Sequence, residues 1–174
     1  MSGIIIEESG MSFGDYDETD IFYMEKSEQY QKTLKPSGIK SCEFLLLRNK
    51  MLLFIEAKKT CPNYFEASST EEKKQKYEKY VNDIVQKMKD SLTLYANILL
   101  KRYGQVGIPD NLLKTELKHK RIAFVLVVKN AEEKWLEPFP DVFKKRLYSE
   151  MKIWNIQSFL VINEEKAREK KLIQ

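Results

Sequence analysis

At the two ends of the apolar stretch CEFLLLRNKMLLFIEAKK (42–59) stand Glu43, Glu56 and Lys58, acids and a base where a core strand ordinarily stays apolar. The stretch divides at Asn49-Lys50, and Asn49 adopts a left-handed conformation more cheaply than most residues, so a β-hairpin is expected. A two-residue loop sets Arg48 opposite Met51, Leu45 opposite Phe54 and Phe44 opposite Ile55. Extending that register puts Glu43 opposite Glu56. Directly opposed side chains share a face of the sheet with Cβ atoms about 4.5–5.5 Å apart. Lys58, two residues beyond Glu56, points to the same side.

Two opposed carboxylates repel, and desolvation pushes one of them toward protonation. A divalent cation would remove that conflict, since hard ions such as Mg²⁺ take carboxylate oxygens together with water and phosphate. The plainer alternative is that Lys58 neutralises Glu56 while Glu43 reaches solvent at the sheet edge. If repulsion dominates, replacing Glu56 by Ala is expected to relieve it. The Glu-x-Lys tripeptide carries no weight alone. It recurs from Glu71, Glu72, Glu116, Glu132, Glu150, Glu164 and Glu169, in helical or charged surface runs. Glu56-Ala57-Lys58 differs in ending an apolar strand that has an acid at the matching place on the strand before it.

The surrounding elements must hold this hairpin. DIFYMEK (20–26) reads as a strand, and Ser27 caps a short helix stopped by Pro36 and Gly38. From Thr70 to about Tyr103, apolar residues at Tyr77, Val81, Ile84, Met88, Leu92, Tyr95 and Leu99 recur in steps of three and four. That spacing predicts one face of a long amphipathic helix. KRIAFVLVVKN (120–130) is a buried strand by its continuous β-branched apolarity. Pro138 and Pro140 delay the next helix to near Asp141, and IQSFLVI (156–162) is a last strand. The expected class is α/β: a single domain with a mixed β-sheet flanked by helices. Residues 1–19 read as a flexible or partly ordered segment, 20–163 as the domain, and 164–174 as a charged tail.

Composition removes many functions. With 174 residues, 32% charged, the chain is long enough for a real core. A net charge of +4 permits nucleic-acid binding without requiring it. Cys42 and Cys61 lack zinc-ligand spacing, and His119 is the only histidine, so a multi-histidine metal centre is excluded. Phosphate-binding glycine loops are absent. No stretch is apolar and long enough to span a bilayer, and a cytoplasmic protein is expected. His119 between lysines could touch phosphate, and Trp135 and Trp154 could stack on bases, though exposure and core packing respectively account for them as well. Lys73, Lys74 and Lys76 read as a solvated helix start.

The hairpin resembles the core of the PD-(D/E)xK nucleases, the superfamily of restriction endonucleases and Holliday-junction resolvases. The resemblance implies a restriction-endonuclease-like core in which Glu43 is the first acid, Glu56 the second and Lys58 the lysine. Mg²⁺ or Mn²⁺ would be held by Glu43, Glu56 and the backbone carbonyl of Ala57, with Lys58 orienting or polarising the attacking water. It implies hydrolysis of phosphodiester bonds, in DNA ahead of RNA. The small size of the chain leaves room for a homodimer or a larger assembly. The alternative is a non-catalytic module on the same fold that binds nucleic acid or a protein partner in a defence or repair assembly. Cys42 stands where the family has Pro, and Glu43 where Asp is commoner. The family's helix before the first strand often donates a further Glu, a place that Glu25 or Glu28 could fill.

Overall fold

The computed structural model describes residues 3–105 and 107–174. The chain opens with an antiparallel hairpin, β1 (Gly3–Glu8) and β2 (Met11–Asp17), turned at Ser9-Gly10. A five-stranded sheet follows in the order β3-β4-β5-β6-β7. Its strands are β3 (Ile21–Phe22), β4 (Phe44–Arg48), β5 (Met51–Thr60), β6 (Arg121–Asn130) and β7 (Ser158–Asn163). The first three pair antiparallel, whereas β5-β6 and β6-β7 are parallel. The class is α/β with a mixed sheet, as the sequence pattern predicts.

Parallel neighbours need a crossover, and the long helix α1 (Glu71–Leu99) supplies the one from β5 to β6. Thr70 caps it by accepting from the Lys73 amide at 3.2 Å. The predicted stripe is buried at Tyr77, Val81, Ile84, Met88, Leu92 and Tyr95, while Leu99 is only partly buried. Four shorter helices follow: α2 (Asp110–Leu113), α3 (Glu133–Leu136), α4 (Phe139–Arg146) and α5 (Tyr148–Ile153). α4 begins two residues before Asp141, because Pro140 sits in its first turn, where a missing amide costs nothing.

Both faces of the sheet are covered. On one side Phe54, Phe124, Leu126 and Phe159 pack against α1 and α4. On the other, Phe44, Ile55, Ala57, Val125 and Val127 meet Ile6, Met11 and Phe13 of the N-terminal hairpin. Residues 3–17, expected as flexible or partly ordered, thus form a layer of the core, because Ile6, Met11, Phe13 and Tyr16 are buried against the sheet. The expected tail 164–174 also packs. It forms α6 (Glu164–Glu169), and Ala167, Leu172 and Ile173 are buried in the hairpin-side cluster. DIFYMEK is a strand only at Ile21–Phe22 and then turns through a 3-10 segment, Met24–Lys26.

Candidate metal centre

Asn49 and Lys50 both take positive φ, 50° and 62°, the conformation of a two-residue hairpin turn whose twist matches the strands. The turn fixes the predicted register, with Arg48 opposite Met51, Leu45 opposite Phe54 and Phe44 opposite Ile55. The ladder stops at Phe44. The Glu43 amide donates to the Ile55 carbonyl at 3.0 Å, so residues 43 and 44 both stand against Ile55 in a one-residue bulge. Glu43 therefore leaves the flat register that would set it squarely opposite Glu56. Cys42 packs on the α1 side and Phe44 on the hairpin side, and Glu43 lies between the two layers.

Glu56, Lys58 and Glu43 nonetheless meet at one place. Glu56 follows Phe54 onto the α1 face and is fully buried. Lys87 of α1 donates to Glu56 Oε1 at 2.7 Å and lies 4.0 Å from Glu43 Oε1. Lys58 Nζ is 3.1 Å from Glu56 Oε1 and 3.3 Å from Asp83 Oδ2, and Asp83 also pairs with Lys40. Asp83 and Lys87 stand one helical turn apart, so both reach down to the sheet from the flank of the α1 stripe.

A second set of contacts reaches Glu43 from the other side. The Glu25 amide donates to the Glu43 carbonyl at 3.2 Å, fixing the 3-10 segment beside the bulge. Tyr23 donates its hydroxyl to Glu8, and Lys26 Nζ lies 4.0 Å from Glu8 Oε1. Glu8, Glu25 and Glu43 each offer a carboxylate oxygen, and these lie within 4.8 Å of one another. Ser9 donates to the Ala57 carbonyl at 3.0 Å, so that carbonyl has a partner of its own. Glu28, by contrast, pairs with Lys32 on the surface.

The electrostatics follow from burial. Desolvation, a hydrogen bond shared with Glu25 and the nearby Glu56 charge push the Glu43 carboxyl up to about 10, against the pull of Lys87. Burial also works on Glu25, but the hydrogen bond from Glu43 and the charges of Lys87 and Lys26 hold it below the ordinary carboxylate value. Burial raises Glu56 as well, opposed by Lys87 and Lys58. Lys87 loses solvation, yet Glu56, Glu43 and Glu25 together keep its ammonium above the usual lysine value.

Glu56 Oε2 is buried without a hydrogen-bond partner among the described residues, and so is Glu43 Oε2 apart from the proton its carboxyl shares with Glu25. Unpaired buried carboxylate oxygens are costly. Their chemistry suits a hard cation, so the two acids fit a divalent ion. Lys87 competes with it by placing an ammonium against both carboxylates. Sequence reasoning missed Lys87, Asp83 and Glu8. The first two look like part of a solvated helix face, and only their position beside the apolar stripe distinguishes them.

His119 and Trp154 lie elsewhere. Together with Lys118, Lys120 and Arg121 they line an open cavity of about 710 Å³. Met51 and Arg121 begin β5 and β6 side by side, so the cavity is at the opposite end of the strands from Glu56, roughly 17 Å away. Trp135 is half-buried, and Lys73 and Lys76 form surface ion pairs with Glu66 and Glu72. Among the described residues no helix is long and apolar enough to cross a membrane. The chain matches no known protein-family model, no curated protein and no solved structure.

Proposed function

We propose that the chain is a metal-dependent nuclease, a phosphodiester hydrolase acting on nucleic acid with DNA ahead of RNA. The observation that carries this is the pair of buried carboxylates, Glu43 and Glu56, beside Lys58, with Glu56 Oε2 lacking a hydrogen-bond partner among the described residues. Mg²⁺ or Mn²⁺ bound there would polarise a phosphoryl oxygen and lower the pKa of a water. Glu43 and Glu56 would hold the ion, with the Ala57 carbonyl as a further oxygen donor once Ser9 yields it. Lys58, positioned by Glu56 and Asp83, would stabilise negative charge developing on the phosphoryl group and orient the water. The hairpin followed by a helical crossover to a parallel strand supports a restriction-endonuclease-like core.

One observation favours a second reading. Lys87 already balances both acids, as a buried counter-ion does in a site that needs no metal. On that reading the domain is a non-catalytic module on the same fold, binding nucleic acid or a protein partner. Incubation with single-stranded and double-stranded DNA, RNA and branched substrates, with Mg²⁺, Mn²⁺ or chelator, separates the two. The nuclease cleaves only with the ion, loses cleavage in Glu56→Ala, and in Lys58→Ala keeps metal affinity while losing most of the rate. No cleavage of any substrate, together with no calorimetric binding of either ion, leaves the binding module.

A further inference from the structure

The cavity at the other end of the strands has no part in the acidic centre. Its volume, about 710 Å³, falls within the span of about 300–1,000 Å³ usual for small-molecule pockets. One wall is the 3-10 turn Leu117–His119 with the start of β6, and the other is the loop that follows α5. Backbone hydrogen bonds hold both walls. The Lys120 amide donates to the Leu117 carbonyl at 3.0 Å, and the Arg121 amide to the Lys50 carbonyl at 3.1 Å. Across the cavity Asn155 takes a left-handed φ of 53°, and the Ile156 amide donates to the Met151 carbonyl at 2.8 Å. That helix ending fixes the backbone that carries Trp154 and Gln157.

The chemistry of the two walls differs. The first is cationic. Lys118 and His119 share Glu116, each at 3.4 Å, whereas Lys120 and Arg121 form no ion pair among the described residues. Uncompensated positive charge in a concave place favours an anion, and a phosphate takes charge-assisted hydrogen bonds from such groups. The second wall is aromatic and polar. Trp154 is half-buried, packing against the α1-side core and also lining the cavity. Its indole N–H has no hydrogen-bond partner among the described residues, and neither have the side chains of Gln157 and Ser158 beside it. A tryptophan withdrawn from water ordinarily finds such a partner. A flat heterocycle laid on the ring would stack there and bring hydrogen-bonding groups to this wall.

We propose that this cavity binds a nucleotide unit, with the phosphate on Lys120 and Arg121 and the base on Trp154. Unpaired cations on one wall facing an aromatic ring on the other separate it from an ordinary solvated run of lysines. The site needs no metal ion and lies roughly 17 Å from Glu56, so it stands or falls independently of the nuclease reading.

The test is titration of the full chain, in chelator, with thymidine, inorganic phosphate, thymidine monophosphate and a terminally phosphorylated deoxythymidine decamer. Calorimetry and tryptophan fluorescence follow binding. The monophosphate should bind saturably and quench Trp154, an effect that Trp135→Phe retains, and at least about tenfold more tightly than thymidine or phosphate alone. Lys120→Ala and Arg121→Ala should each weaken it by about tenfold. Trp154→Leu should weaken it by at least about fivefold while leaving inorganic phosphate binding unchanged. Far-ultraviolet dichroism checks that each variant is folded, and the milder Trp154→Phe carries the test, through a smaller loss, should Trp154→Leu unfold. Competition by the decamer assigns the cavity to the end of a strand, and binding of the monophosphate without it assigns the cavity to a free nucleotide. No saturable binding of either overturns the proposal. So does binding that Arg121→Ala and Trp154→Leu leave unchanged, or phosphate bound as tightly as the nucleotide.

Discussion

Replacing Glu56 by Ala exposes what holds this site together without metal. Seen from the hairpin alone, the change removes one of two repelling acids and should stabilise the protein. Lys87 reverses that expectation. Its side chain is 14% exposed and its closest anionic partner is the fully buried Glu56 carboxylate at 2.7 Å. Removing one member of a buried pair leaves an uncompensated charge, a loss of about 3–5 kcal/mol. Glu43, 4.0 Å from the same ammonium, can surrender its proton and take over part of the role, so the lower end of that range applies. In urea, with a slope of about 1–3 kcal/mol/M, a loss of about 3 kcal/mol should lower the midpoint by roughly 1–3 M. The measurement is equilibrium unfolding in chelator, followed by dichroism and by tryptophan fluorescence together. Glu56→Ala combined with Lys87→Met should recover most of the loss, because no buried charge is then stranded. An unchanged or raised midpoint in the single variant would refute the role given to Lys87.

Other outcomes follow from the same geometry. Leu92, 2% exposed within the α1 stripe, should cost about 2–5 kcal/mol when cut to Ala, read as a lower urea midpoint. Lys50→Gly should stabilise by up to about 1 kcal/mol, since glycine takes the positive φ of the hairpin turn without the side-chain penalty; thermal unfolding reports it. The raised carboxyl of Glu43 makes the metal-free fold bind a proton that the unfolded chain has lost. That contribution is complete below the ordinary carboxylate value and disappears as pH rises through about 10. Metal-free stability should therefore decline between about pH 5 and 10, by at most about 1.4 kcal/mol per unit from this group, and Glu43→Gln should flatten the slope. Mn²⁺ affinity should rise over the same interval, because the ion displaces that proton.

Periodicity made α1 legible, and the left-handed tendency of Asn49 made the hairpin register legible as far as Phe44. Beyond that point the alternation rule fails at the bulge, which depends on how β4 is received by the 3-10 segment carrying Glu25 and not on the hairpin's own residues. The acids and Lys58 could be found because charge is conspicuous in an apolar run. Lys87 and Asp83 could not, since lysines and acids on a helix are ordinarily solvated. Only the sheet packed beneath the helix brings them to Glu56. The N-terminal segment looked weak because its glycines and acids interrupt the spacing of Ile6, Met11, Phe13 and Tyr16, which are not evenly alternate. The final Leu172-Ile173, two apolar residues after a charged helix, were the signal that the tail returns to the core.

That return has a consequence for how the molecule is made. Gly14 donates its amide to the Leu172 carbonyl, Gln174 donates to Ser12, and the Tyr16 hydroxyl reaches Leu172 as well. The hairpin is clasped by residues far along the chain, Tyr16 and Leu172 lying 156 positions apart. β1 and β2 lack this clasp until residues 172–174 have been added and docked, so Glu8 and Ser9 are held at the bulge only late in folding. Assembly of the acidic centre is then a late event in folding, one that waits on contacts of high sequence separation.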